Sequence, residues 1–277
     1  MAGRARCAIG LTAAAAALLA LPAADASTAS VHRDAQALAT TTTELRRLID
    51  MWRDGGDPSV GGPPGPVERA ALAQQRLFIR LSLDPRRAEA VVGRLRGPVG
   101  QHARATLRAR LALGRMTTAP RRQWALRTGR PLPADLLMRY YRQAQRRFGV
   151  GWHVLAAVNF VESAFGRVRS PSSAGALGPM QFMPLTWSAY GLGGNVFRAR
   201  DAIMGAANYL RASGAPRDYW GALYAYNHSG SYVEAVLRYA AQMKRDLRSF
   251  YAYYSWQVFV RTPFGLRRLT GPGLARR

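Results

Sequence analysis

Val154-Leu155-Ala156-Ala157-Val158-Asn159-Phe160-Val161-Glu162-Ser163-Ala164-Phe165 sets a carboxylic acid in an otherwise apolar run. Val154, Val158, Val161 and Phe165 recur at helical spacing and predict a stripe facing a core. Glu162 lies four residues after Val158 and seven after Leu155, on the flank of that stripe. A glutamate placed there loses solvation, so its charged form is disfavoured and its proton is held more tightly. A carboxylic acid still protonated near neutral pH has what a general acid requires. The alternative is a solvated or salt-bridged side chain, as most helical glutamates are.

Working outward, no stretch of 135–245 alternates apolar and polar residues, so a dense helical domain is expected there. Asp135 reads as the N-cap of a helix that Gly149 ends, and Asp201 as the cap of another running to Leu210. Short helices are expected at 185–190, 220–226 and 231–243, with a Ser/Gly/Ala/Pro loop over 169–179. Residues 250–262 (FYAYYSWQVFVRT) are aromatic and β-branched and predict a strand, with Thr262-Pro263-Phe264-Gly265 turning into a second short one. Upstream, 27–53 carries a weak helical pattern through Leu45, Leu48, Ile49 and Trp52, and 54–66 is a Gly/Pro linker. Helices are expected at 67–83 and, after breaks at Asp84-Pro85 and Gly97-Pro98, at about 101–113. A second linker covers 116–134. The expected division is a signal at 1–26, a helical arm at 27–134, a catalytic domain at 135–245 and a tail at 246–277 with a hairpin-like segment.

The chain has 277 residues and a formal net charge of +25, almost all of it arginine, since Lys244 is the sole lysine. Such a charge favours polyanions, including anionic wall polymers. Its dispersal along the chain argues against a nucleic-acid groove, which needs a concentrated basic face. Arg4 and Arg6, the apolar run from Ala8 to Leu21 and Ala24-Asp25-Ala26 read as a secretory signal with a small-x-small cleavage site. Cys7 is the only cysteine, so cleavage there leaves a protein stabilised by packing alone.

Three segments downstream bear on Glu162. Ser172-Ser173-Ala174-Gly175-Ala176-Leu177-Gly178 is small enough for a loop backbone to approach a ligand closely. Gly178-Pro179-Met180-Gln181-Phe182-Met183-Pro184 holds an amide donor and acceptor in an apolar setting. Ala225-Tyr226-Asn227-His228-Ser229 offers a phenol and an amide suited to a carboxyl group and a sugar. Glu162-Ser163, then Ser173 through Gln181, then Ala225-Tyr226-Asn227, match in order and spacing the signature of lytic transglycosylases with a lysozyme-like, goose-type catalytic domain. The resemblance covers roughly 135–245 and leaves 27–134 unexplained. Pro179 stands where that family usually has leucine, and His228-Ser229 where Ala-Gly is commoner.

The resemblance implies a mostly α, lysozyme-like fold with a cleft across it. It implies cleavage of peptidoglycan glycan strands between N-acetylmuramic acid and N-acetylglucosamine by a monomer, with no metal and no organic cofactor. It implies Glu162 as general acid and then base, with the 2-acetamido group of the substrate in place of a protein nucleophile. Ser163 and Gln181 would contact the sugar, Met180 line the cleft, Tyr226 hold Glu162, and Asn227 bind substrate or fix the loop. Asp201, Asp218, Glu234 and Asp246 are the remaining downstream carboxylates to 246, and the four histidines show no metal spacing. A hydrolase that admits water, and a non-catalytic wall binder, are the competing readings.

Overall fold

The computed structural model describes residues 23–116 and 126–274. Among them are eleven helices and one hairpin. The first four helices are α1 (Ala23–Gly55), α2 (Gly65–Ser82), α3 (Pro85–Arg94) and α4 (Gly97–Met116). Next come α5 (Ala134–Phe148), α6 (Trp152–Ser163), α7 (Pro184–Tyr190) and α8 (Ala199–Ala212). Then follow α9 (Tyr219–Tyr226), α10 (Gly230–Arg245) and α11 (Leu247–Ser255). Strands β1 (Phe259–Thr262) and β2 (Gly265–Arg268) pair antiparallel, Phe259 opposite Arg268 and Thr262 opposite Gly265. The expectation of a mostly α fold holds.

Helix α6 lies at the centre of the C-terminal helices. It is apolar around most of its circumference, and Val154 through Asn159 are all buried. Helices α5, α8, α10 and α11 pack around it. Gly149 ends α5 in the left-handed conformation, φ 75°, as its position predicted.

The four N-terminal helices share this core. Phe78 of α2 packs against Trp256 with ring centroids 5.8 Å apart, and Trp256 packs against Phe160 of α6 at 6.0 Å. Trp52 of α1 meets the edge of Tyr251 at 5.6 Å. Buried polar groups register the contact: Trp256 Nε1 donates to Gln74 Oε1 (3.2 Å), and Gln75 and Gln257 exchange two bonds of 2.8 Å. Along the α4–α10 contact, Thr106 Oγ1 bonds Gln242 (3.2 Å), and Arg115 pairs with Glu234 (2.9 Å).

Three local expectations are corrected. Residues 250–255 are helical within α11 and are not strand. Asp246 starts that helix by accepting the Arg248 amide, and the aromatic run is buried on every side, which removes the need for an exposed sheet face. Asp135 and Asp201 are not N-caps: Pro133 and Arg198 hold those positions. Each carboxylate sits in the first turn, where the helix dipole favours it. Asp135 accepts from the Tyr251 hydroxyl and Asp201 from the Asn195 amide. Gly97-Pro98 opens α4 where a break was expected before it. Most of the signal-like stretch, 1–22 with Cys7, lies outside the described residues, as does 117–125 of the second linker. No helix among the described residues is long and apolar enough to cross a membrane.

Candidate active site

Glu162 occupies the last turn of α6, half-buried, where the chain leaves the helix through a strained bend. Ala164, Phe165 and Gly166 follow one another at φ 51°, 61° and 79°. Two of these carry side chains, each costing about 1 kcal/mol in that conformation. The bend is held by the Ala164 amide on Phe160 O (2.9 Å) and the Phe165 amide on Asn159 O (3.1 Å). Ser163 Oγ accepts the Gly166 amide (2.8 Å), and Phe165 stacks on Phe160 at 5.4 Å.

A tight hairpin turn abuts this bend. Leu177 and Phe182 exchange two backbone bonds of 2.8 Å. Between them Gly178 has φ 73°, and a Cβ there would lie 2.0 Å from Val196 O, so no other residue fits. Gln181 also takes a left-handed conformation, φ 48°, and its Nε2 donates back to Gly178 O (2.9 Å). The turn and α6 are clasped at one carbonyl: Pro179 O accepts from Asn159 Nδ2 (2.8 Å) and from the Ser163 hydroxyl. Asn159 is itself fixed by the Tyr141 hydroxyl, which donates to its Oδ1 (2.6 Å).

Two tyrosines complete the arrangement. Ser229 caps α10, and from the first turn of that helix Tyr232 donates its hydroxyl to Glu162 Oε1 (2.7 Å). Tyr226, at the end of α9, donates to Met180 O (2.7 Å). Their rings lie parallel, 3° apart in tilt and 6.5 Å between centroids. Burial pushes the Glu162 carboxyl up to about 7, and the Tyr232 hydrogen bond opposes part of that rise. Burial, then the neighbouring Glu162 charge, holds both phenols well above their ordinary range. Near neutral pH the tyrosines are therefore fixed donors, and the carboxyl is the group that gains and loses a proton.

An open cleft of about 460 Å³ lies beside these groups, lined by Gln181, Phe182, Met183, Thr186, Tyr209, Ala225, Tyr226 and His228. Glu162 does not line it directly. The link is Tyr226, which lines the cleft and whose ring faces that of Tyr232, the residue bonded to Glu162.

Gln181 and Tyr226 line the cleft together, Glu162 lies close enough to Tyr226 for its charge to act on that phenol, and Asn227 sits half-buried just after Tyr226 as the C-cap of α9. Three roles implied for site residues are corrected. Tyr226 does not hold Glu162; Tyr232 does, because the first turn of α10 points at α6 while Tyr226 reaches the turn. Ser163 is 1% exposed with its hydroxyl committed to Pro179 O, so it braces the backbone and has no sugar contact to offer. The Met180 side chain is wholly buried in the core, so only its carbonyl serves the site. Asn159, Tyr141 and Tyr232 were not singled out from sequence. Asn159 did leave a signal, as the one amide in the apolar run before Glu162. Among the described residues no group of three His, Cys, Asp or Glu side chains could hold a metal ion.

Residues 139–248 match the family model described as the transglycosylase SLT domain. Over 129 residues the chain is 30% identical to the membrane-bound lytic murein transglycosylase F of Thiobacillus denitrificans. That match covers 44% of this chain and 27% of that protein, so the chain spans about a quarter of its relative's length. No solved structure matches the chain.

Proposed function

We propose, on the premise that residues 139–248 belong to the transglycosylase SLT domain family, that the chain is a peptidoglycan lytic transglycosylase in which Glu162 serves alone as acid and base. One observation carries the assignment: a carboxyl raised to about 7 by burial, oriented by a phenol that stays protonated. Tyr232 occupies Oε1, which leaves Oε2 to carry the proton toward substrate. Glu162 protonates the glycosidic oxygen, and the N-acetylglucosamine side departs as an alcohol. Positive charge developing at C1 of N-acetylmuramic acid is met by the carbonyl of its own 2-acetamido group. The ionised Glu162 then takes the proton of the C6 hydroxyl, O6 closes on C1, and a 1,6-anhydro ring forms. The proton lost in the first step is recovered in the second.

The substrate is then the glycan strand of the cell wall, and the site of action is extracytoplasmic. The signal-like residues 1–26 and the charge of +25 are consistent with export and with attraction to anionic wall polymers. Mass spectrometry of muropeptides released from purified sacculi tests the assignment. Anhydro ends are expected; reducing ends would instead assign a hydrolase. Glu162→Gln is expected to abolish sacculus clearance, and undiminished clearance would leave only a wall binder.

A further inference from the structure

Helix α9 carries an aromatic feature that the acid-base chemistry does not use. Trp220 and Tyr224, one helical turn apart, stack with planes tilted 10° and centroids 5.2 Å apart. Trp220 is 54% exposed and Tyr224 39% exposed, an unusual state for two large rings. A third ring continues the line: His228 meets the edge of Tyr224 at 5.5 Å, and His228 lines the cleft. Trp220 and Tyr224 share one face of α9 at helical spacing, and His228, just past the extended C-cap Asn227, carries the series to the cleft mouth. Ring-on-ring stacking restricts the rotamers of both side chains, so the outward face keeps a fixed orientation with little entropy left to lose on binding.

We propose that Trp220 and Tyr224 form a saccharide platform that extends the cleft and holds a pyranose ring of the glycan strand distant from the bond being cut. The inference rests on the glycan-cleaving reading given above. A hexopyranose presents an apolar C–H face to an aromatic ring while its equatorial hydroxyls stay in water. Flat, partly exposed rings locked by their mutual stack suit that ligand, and their continuity with the cleft through His228 places it on the same strand. Neither ring touches Glu162, Tyr226 or Tyr232 by any ring stack or hydrogen bond of the described residues. The platform therefore supplies binding to long strands and leaves the chemistry intact.

The test uses the full chain carrying Glu162→Gln, with β-1,4-linked N-acetylglucosamine oligomers of four and eight units as probes in isothermal titration. Trp220→Ala with Tyr224→Ala is expected to weaken the eight-unit oligomer about tenfold and the four-unit one far less. Trp220→Phe should restore most of the difference. In the background with Glu162 intact, the double variant should raise KM on sacculi with kcat little changed. Equal affinities for both oligomers in parent and variant, or no measurable binding in either, would overturn the platform. Clearance of sacculi by the parent enzyme with no platform effect leaves the catalytic reading standing. A parent that clears nothing sinks that reading, while the platform is still judged by the titration alone.

Discussion

At residue scale, what sets Glu162 apart is a conflict between burial and hydrogen bonding. Burial raises its proton affinity to about 7, and the Tyr232 hydroxyl, by donating to the carboxylate, lowers it. The proposed mechanism needs the protonated form first, so kcat should fall as pH rises through about 7. Removing the phenol leaves desolvation unopposed. Tyr232→Phe is accordingly expected to move the alkaline limb of the pH–rate profile upward while lowering kcat about tenfold, through loss of orientation. A limb displaced downward would contradict the assignment of Tyr232. The same shift acts on stability. Because the folded state binds this proton more tightly than the unfolded chain, stability is lost as pH climbs from about 4.5 to about 7. Glu162→Gln removes that loss. Its melting temperature should match the parent near pH 4 and exceed it at pH 8, by the equivalent of about 1–3 kcal/mol. Thermal melts at the two values check the sign.

Among the elements, the clasp at Pro179 O joins the turn to the end of α6 beside Glu162. Gly178 stands at a left-handed position with Val196 O where a Cβ would go. Gly178→Ala must displace the turn, and about 2–4 kcal/mol of stability should go with it. Urea titration measures that cost, and an unchanged midpoint would show the turn to be softer than its geometry indicates. Much at this scale was legible in the sequence. The stripe around Val158 predicted α6 and Gly149 predicted the end of α5, while the grouping of Gln181 and Tyr226 with Glu162 was implied by the family resemblance and not by the residues alone. The failures share a cause. Phe250 to Ser255 read as strand because aromatic residues suit a half-buried sheet, but in α11 the same rings are buried all round, where β-propensity carries little weight. Tyr226 was given the role of Tyr232 because sequence order does not say which face of α9 or of α10 meets α6. Ser163 and Met180 sit beside functional residues in the chain yet turn inward, and adjacency in sequence cannot report that.

For the molecule as a whole, the candidate site and the N-terminal helices draw on one hydrophobic core. Phe78 reaches Phe160, two residues before Glu162, through a single intervening ring, Trp256. The family match begins at 139, yet the core it relies on reaches back to Val31. A fragment of residues 126–274 would expose Tyr253, Trp256 and the facing side of α10 to water. Such a fragment is expected to lose cooperative melting and near-ultraviolet circular dichroism; a sharp transition near that of the full chain would show that the family segment folds unaided.

The Arg115 contact with α10 has a mechanical meaning. Its guanidinium bonds Ser231 (3.3 Å) and Glu234, which flank Tyr232 and Val233 in the first turns of that helix. The pair thus ties α4 to the turn of α10 from which the Tyr232 hydroxyl reaches Glu162. Arg115→Ala therefore cuts a tether and removes no part of the acid itself, and the alkaline limb of the rate profile should move far less than in Tyr232→Phe.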